Sequence, residues 1–269
     1  MPIDDLPRLG LGTWQMTDLE TCAENVHRAL DVGYRHIDTA AVYGTEEGVG
    51  EGIRRSDISR EELFLATKIV HHDVPGPEYD DVIQAGYDSL QRLGVDSVEL
   101  LYIHWPTGIY EPDVVLPAFD ELYDEGVFDY VGLSNFLPHQ IDEAIQKLDA
   151  PILAYQREMH PLQQQDELLE LARKNGHWLV AYSPLAMGEL FNDPLLQEIA
   201  EKYDASIPVI SIAWLLSKEN VAAIPKASGP HIDENYEALN LELTEEDLER
   251  IDNIGRKHRT TDHEWAPWN

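Results

Sequence analysis

The sequence predicts one (β/α)8 TIM barrel, a single α/β domain spanning residues 1–269. Three observations carry this. Eight short β-like runs recur along the chain, with helix-like patterns between them. Alternation of that kind forces parallel pairing, because a parallel partner needs a long crossover. Several runs, such as ELLYIHW and WLVAYSP, are apolar almost throughout, as strands covered on both faces must be. An open doubly wound sheet is the competing architecture. The count of eight and the lack of a Pro/Gly/Ser linker favour a closed barrel.

The strand candidates, in order, are 9–14, 35–40, 63–69, 98–105, 130–136, 152–158, 178–184 and 221–227. Leu19, Ala23, Val26 and Leu30 recur at spacings of three and four after a capping box Thr17…Glu20, so the first helix is placed there. Ile83, Tyr87, Leu90 and Leu93 repeat the pattern and stop at Gly94; Val115, Phe119 and Leu122 stop at Gly126. Ile141, Ile145 and Leu148 follow Pro138, and Leu168, Leu171 and Ala172 precede Asn175-Gly176. Pro208 opens a helix carrying Val209, Ile212, Ala213 and Leu216, and Thr244 caps a last one through Leu248, Ile251 and Ile254.

Composition narrows the function classes. No apolar run approaches the roughly 20 residues that span a bilayer. The start, MPIDDLPRLG, lacks the pattern of a signal peptide, and Cys22 is the single cysteine, so a cytoplasmic protein without disulfides is expected. The net charge is −32, from 51 Asp plus Glu against 19 Lys plus Arg. Such a field repels nucleic acid and anionic membrane, so neither is expected as a partner. The acids are scattered over helix surfaces, which is how halophilic proteins look; in molar salt the self-repulsion is screened, the Debye length being about 3 Å at 1 M.

In a parallel barrel the chemistry sits at the C-terminal ends of the strands. Those ends carry Gly12-Thr13-Trp14, Asp38-Thr39, Lys68, His104-Trp105, Ser134-Asn135, Gln156, Tyr182-Ser183 and Lys226. Polar loops explain Ser, Asn or Asp at such places. They explain less well a Lys in FLATKI and a His in LLYIHWP, each directly after apolar β sequence. Asp38, Lys68 and His104 close consecutive strands, and Tyr43 lies five residues past Asp38. A free tyrosine has a pKa near 10 and donates protons poorly at neutral pH. A nearby ammonium is expected to lower it, and a carboxylate keeps that ammonium charged and in place. A His one strand over can hold a carbonyl oxygen. The four read as a general acid aimed at a carbonyl. They do not read as a metal site, and His71-His72 lacks a third ligand.

With those residues in view, the sequence resembles the aldo-keto reductases, in order and over nearly the whole chain. DTAAVYGTEEGVGEGI looks like the family's first signature, TKI carries its Lys and LLYIHWP its His; VGLSNF, AYQ, YSPL and IPKA…IDEN look like its cofactor-binding segments. The likeness is to prokaryotic or archaeal members of the aldehyde or 2,5-diketo-gluconate reductase type, in a halophile's version. It implies that Tyr43 is the general acid, tuned by Lys68 and Asp38, with His104 orienting the carbonyl. It implies a nicotinamide cofactor bound without a Rossmann domain. Thr13 belongs to that cofactor set. Ser134, Asn135 and Gln156 would hold the carboxamide, Tyr182 would stack on the ring, and Ser183 and Leu185 would meet the pyrophosphate. Lys226 and Ser228 would face the adenosine phosphate, Glu234 and Asn235 the adenine, and Trp14 and Trp105 an apolar substrate pocket.

One departure bears on the cofactor. Where the family often has Arg before the Ile of I-x-E-N, this chain has His231. Arg is a permanent fork for a 2′-phosphate, whereas His is mostly neutral at pH 7. Lys226 and Ser228 still argue for NADPH, with NADH possible.

Other residues are read structurally. GVGEG lacks the spacing of a phosphate loop and is assigned to helix packing. Cys22 lies on an apolar helix face and is assigned to the core. Trp178 and Trp214 are placed in structural elements, and Trp265 and Trp268 in a tail that can fold over the site. The short loop after His104 and the short tail point to an open pocket for small aldehydes, ketones, dicarbonyls or keto-sugars, in a monomer or weak oligomer. Two rival readings are a catalytically silent nicotinamide-binding regulatory subunit and a Schiff-base lyase using Lys68. The intact four-residue set opposes the first. Tyr43 and the Ser-Asn…Gln set oppose the second.

Overall fold

The computed structural model describes residues 6–71, 78–108 and 110–269. Eight parallel strands run in sequence order: β1 Gly10–Gly12, β2 His36–Asp38, β3 Phe64–Ile69, β4 Val98–Ile103, β5 Phe128–Ser134, β6 Ile152–Glu158, β7 Trp178–Tyr182 and β8 Val221–Ala223. Parallel bridges Leu9↔Ala223 and Gly12↔Lys226 bring the last strand back to the first, so the sheet closes into a barrel. The helices are α1 Leu19–Val32, α2 Glu46–Arg55, α3 Tyr79–Leu93, α4 Pro112–Asp124, α5 Pro138–Lys147, α6 Asp166–Asn175, α7 Pro194–Tyr203, α8 Ile207–Leu216, α9 Pro230–Tyr236 and α10 Glu245–Asp252. Among the described residues none is long and apolar enough to cross a membrane.

Every expected strand is present, and the expected helices form where the apolar spacing put them. Gly94 ends α3 and Gly176 ends α6 in the left-handed conformation that glycine adopts without penalty. The start of α1 differs from the expectation. Its cap is Asp18, whose carboxylate accepts from the Thr21 N–H at 2.7 Å, and not a Thr17…Glu20 box. Asp caps at least as well as Thr and sits one residue closer to the first turn. α7 and α9 add to the helices read from sequence.

Inward and outward residues alternate along each strand. Phe64, Ala66, Leu100, Tyr102, Ala154, Trp178 and Val180 fill the barrel interior, with Leu6 among them. Leu65, Leu101, Ile103, Tyr155, Leu179 and Ala181 face the helices in the larger core. Interior space is tight: a Cβ on Gly132 would lie 2.1 Å from the Tyr102 ring. The same alternation carries Lys68, His104 and Gln156 to the inner face of the mouth, two residues above Ala66, Tyr102 and Ala154.

The glycines of GVGEG are packing positions, as expected. A Cβ on Gly48 would meet the Leu19 carbonyl at 2.8 Å and on Gly52 the Val26 side chain at 2.6 Å, so α2 lies directly on α1. A Cβ on Gly50 would lie 2.1 Å from the Leu93 carbonyl oxygen at the end of α3. Cys22 is buried in this interface, and burial pushes its thiol up to about 11, as suits a core residue.

Backbone cannot retreat as a side chain can, so Gly50→Ala is expected to cost about 1–3 kcal/mol. Urea unfolding should show a lower midpoint with an unchanged slope. An unchanged midpoint would mean that α2 and α3 are looser than described.

Candidate active site

The barrel mouth opens on a cleft of about 1020 Å³. The wall nearest the chemistry comes from Asp38, Tyr43, His104, Gln156 and Tyr182; Lys68 lies beneath it, fully buried. The Lys68 ammonium pairs with Asp38 Oδ1 and donates to the Thr39 carbonyl at 2.7 Å. The other Asp38 oxygen accepts from the Gln156 amide at 2.8 Å. A carboxylate only accepts, so this contact fixes which end of Gln156 faces it. Two strands supply the ion pair and a third clamps it.

Tyr43 sits in the 3-10 turn Ala41–Tyr43 that follows β2. Thr45 Oγ1 links the turn to Thr39 at 2.9 Å and to Thr13 at 3.2 Å. The buried carboxylate of Glu46 then accepts from Thr67 at 2.6 Å and from Arg92 at 2.7 Å. The Tyr43 ring is thereby held 5.1 Å from Lys68 Nζ and edge-on to His104, with ring centroids 5.6 Å apart.

The electrostatics correct one expectation. Lys68 does not make Tyr43 acidic here: desolvation raises the phenol well above its ordinary range, and the Asp38 carboxylate pushes the same way. Charge arithmetic read from sequence counts the ammonium and its carboxylate partner but cannot see that the phenol is desolvated. Burial pulls the Lys68 ammonium down from the usual lysine range, and Asp38 opposes that fall. Burial, then Lys68 and His71, hold His104 well below the usual imidazole range, so its ring is neutral. A protonated phenol and a neutral imidazole, both hydrogen-bond donors, thus face one cleft.

The next wall comes from β5 and β7. Asn135 has a left-handed backbone, φ 67°, and donates to the His104 carbonyl at 3.1 Å and to Ser134 Oγ at 3.0 Å. Its oxygen accepts from the Tyr182 hydroxyl at 2.9 Å. Ser183, also left-handed at φ 47°, lines the cleft together with Leu185 and Lys226. Thr13, Trp14 and Trp105 line the cleft as well; Trp14 is exposed and Trp105 buried.

The remaining candidates stand beyond Lys226 and do not line the cleft. Ser228 precedes α9, which carries His231, Glu234 and Asn235. His231 Nδ1 lies 2.9 Å from Glu234 Oε2, and Asn235 is buried. α9 is tied to α1 by Arg28–Asp233 at 2.6 Å and by the Gly229 N–H donating to Asn25 at 3.0 Å.

The tail departs from the open pocket read from sequence. Trp265 packs on Trp105 at 4.7 Å between centroids and on His71 at 5.9 Å, and stacks on His263 at 4.8 Å. Thr260 and Thr261 join them in the cleft wall. Of these only Trp265 had a signal in the sequence, an aromatic in HEWAPW. His72 lies outside the described residues, and among those described no group of His, Cys, Asp or Glu could hold a metal.

Comparison with known proteins agrees with this geometry. The model of the aldo/keto reductase family matches residues 8–256. The chain belongs to that family. It is 36% identical over 256 residues to a glyoxal reductase of Bacillus subtilis (strain 168), covering 95% of this chain and 91% of the relative. It is 33% identical over 258 residues to a methylglyoxal reductase of Escherichia coli (strain K12), covering 94% and 91%. A solved structure described as a candidate 2,5-diketo-D-gluconic acid reductase B superposes with a TM-score of 0.92 at 32% identity, covering 97% of this chain and 92% of that one. This aldo/keto reductase is therefore an oxidoreductase of small carbonyl compounds that works with a nicotinamide cofactor.

Removing one partner of a buried pair strands the other charge, so Lys68→Met is expected to cost about 3–5 kcal/mol. Adding Asp38→Asn to it should restore part of that loss in chemical unfolding. A Lys68→Met protein as stable as the wild type would contradict the pair's description.

Proposed function

We propose that this chain reduces small aldehydes, ketones, α-dicarbonyls or keto-sugars to alcohols with NADPH, and that Tyr43 is the general acid. The observation that carries the reading is Tyr43 and His104, both uncharged and edge-on to each other, over the buried Asp38–Lys68 pair. The relatives named for glyoxal and methylglyoxal support small dicarbonyls as substrates.

The donor set suits a nicotinamide: two amide side chains, a serine hydroxyl and the Tyr182 ring line the same cleft. Ser134, Asn135 and Gln156 would hold its carboxamide and Tyr182 its ring. Thr13, Ser183 and Leu185 line the path onward to Lys226, and Lys226 and Ser228 would meet the adenosine phosphate, with Glu234 and Asn235 near the adenine. When bound, the cofactor supplies the hydride. The protein's part is to place and protonate the carbonyl. His104 donates to the carbonyl oxygen and fixes its position. Tyr43 releases its proton as negative charge develops on that oxygen, because an alkoxide is a stronger base than a phenolate. Lys68 stabilises the phenolate left behind, and Asp38 keeps the ammonium aimed at it. The aromatic walls from Trp14 and Trp105 exclude water.

His231 Nδ1 lies 2.9 Å from Glu234 Oε2, so that nitrogen is already engaged and is not free for a 2′-phosphate. The preference for NADPH over NADH is accordingly expected to be modest. Replacing His231 with Arg should raise it, read as the ratio of kcat/KM for the two nucleotides; an unchanged ratio would place the phosphate elsewhere. The dispersed acidic surface supports action in molar salt, where its self-repulsion is screened.

Tyr43→Phe is expected to lose about 10²–10⁴-fold in turnover of glyoxal, followed at 340 nm, while nucleotide affinity stays the same. Turnover close to wild type from Tyr43→Phe would remove Tyr43 from the mechanism.

A further inference from the structure

The end of β6 carries a buried carboxylate that none of the chemistry above uses. Glu158 is fully buried, and four donors converge on it. His160 Nε2 and the Thr260 N–H reach Oε1 at 2.9 and 2.6 Å, Thr260 Oγ1 reaches the same oxygen at 2.8 Å, and the Thr261 N–H reaches Oε2 at 2.8 Å. His160 Nδ1 accepts from the Leu162 N–H at 3.2 Å, so the proton is on Nε2 and points at Glu158. Burial works against the charge, but the donors outweigh it and hold the carboxyl at about 2. Thr260 and Thr261 lie about a hundred residues downstream, in the tail after α10.

The neighbouring residue holds the same tail from outside the barrel. The Arg157 guanidinium lies 4.0 Å from the centre of the Trp268 ring, and Arg259 lies 4.5 Å from it. Trp268 in turn packs against Trp105 at 5.6 Å. Between these two anchors run His263 and Trp265, which face the cleft beside Trp105.

We infer that Glu158, assisted by Arg157, is a specificity-determining positioning residue: it pins the tail so that Trp265 and His263 close the substrate side of the cleft to all but small carbonyls. The inference rests on reading that cleft as the carbonyl-reducing site. Glu158 touches neither Tyr43 nor His104, so releasing the tail changes which substrates fit and leaves proton delivery intact. Glutamine is the informative replacement, because it offers one acceptor oxygen and an added donor where four donors already converge.

The test compares glyoxal with 2-naphthaldehyde in wild type, Glu158→Gln, Trp265→Ala and the double variant. With Glu158→Gln, kcat for glyoxal should stay within about twofold and its KM should rise, while kcat/KM for 2-naphthaldehyde rises. The selectivity ratio should fall about tenfold or more, the scale of a pocket contact. Trp265→Ala should give the same split, and the double variant little beyond either single one, since both remove one wall. Glu158→Asp should restore part of the ratio. A parallel loss of kcat on both aldehydes, or full additivity in the double variant, would overturn the inference. If Glu158→Gln does not fold, Trp265→Ala and Thr260→Val carry the test, with a smaller shift in the same direction expected from Thr260→Val. Hydrogen exchange over residues 258–266 reads tail release without turnover. A wild type that reduces neither aldehyde would fail the reductase reading, whereas exchange unchanged in Glu158→Gln would fail the latch.

Discussion

The site depends on one buried ion pair. Taking Asp38 and Lys68 out of water costs several kcal/mol per charge, and their attraction offsets this only if the remaining hydrogen bonds are also made. They are made: Gln156 takes the second carboxylate oxygen, and the Thr39 carbonyl takes another ammonium proton. This couples β2, β3 and β6 at a depth where the interior changes from apolar to polar. Below it lie Ala66, Leu100 and Tyr102; above it open Tyr43, His104 and the cleft. The pair is thus the floor of the site and, in the proposed mechanism, the source of its electrostatics.

The same device recurs around the barrel. The chain carries a large excess of acid, most of it solvated, and a few carboxylates are buried where elements must be joined. Glu99 takes Arg60 at 2.8 and 2.9 Å and the Leu65 N–H at 2.7 Å, tying β4 to β3. Glu46 ties the Tyr43 turn to β3 and α3. Glu158 ties β6 to the tail. Each accepts a hydrogen bond on both carboxylate oxygens or is paired with a cation, as a buried charge requires to remain favourable. Substrate placement is in this sense assembled from three carboxylate-centred joints, at Asp38, Glu46 and Glu158, set on a rigid frame.

Much of this was legible in the sequence because the signals were local. Strand runs such as LLYI and WLVAY declare themselves by continuous apolar character, and the polar residue that ends each one points to the mouth. The order Asp38, Tyr43, Lys68, His104 then needs only the barrel to bring the four together. The features that escaped are those set by partners far away in the chain. The start of α1 slipped by one residue because Thr17 and Asp18 are both capable caps, and geometry chose Asp18. Tyr43 was assigned the wrong direction of shift because desolvation is a property of the folded cleft. The two tryptophans mark the tail as able to fold over the site, but what holds it there is silent, since nothing in YQREMHP announces that Glu158 waits for Thr260 and Thr261.

The central claim is that the Asp38–Lys68 pair organises chemistry as well as stability. The most direct measurement is NADPH oxidation with glyoxal by Asp38→Asn beside wild type, with nucleotide affinity measured on both proteins. The variant keeps the side-chain shape and removes the charge that aims Lys68 at Tyr43. The account predicts turnover reduced by about 10²-fold or more with nucleotide affinity within about threefold of wild type. Turnover equal to that of wild type would contradict it and would leave the pair as a structural joint alone.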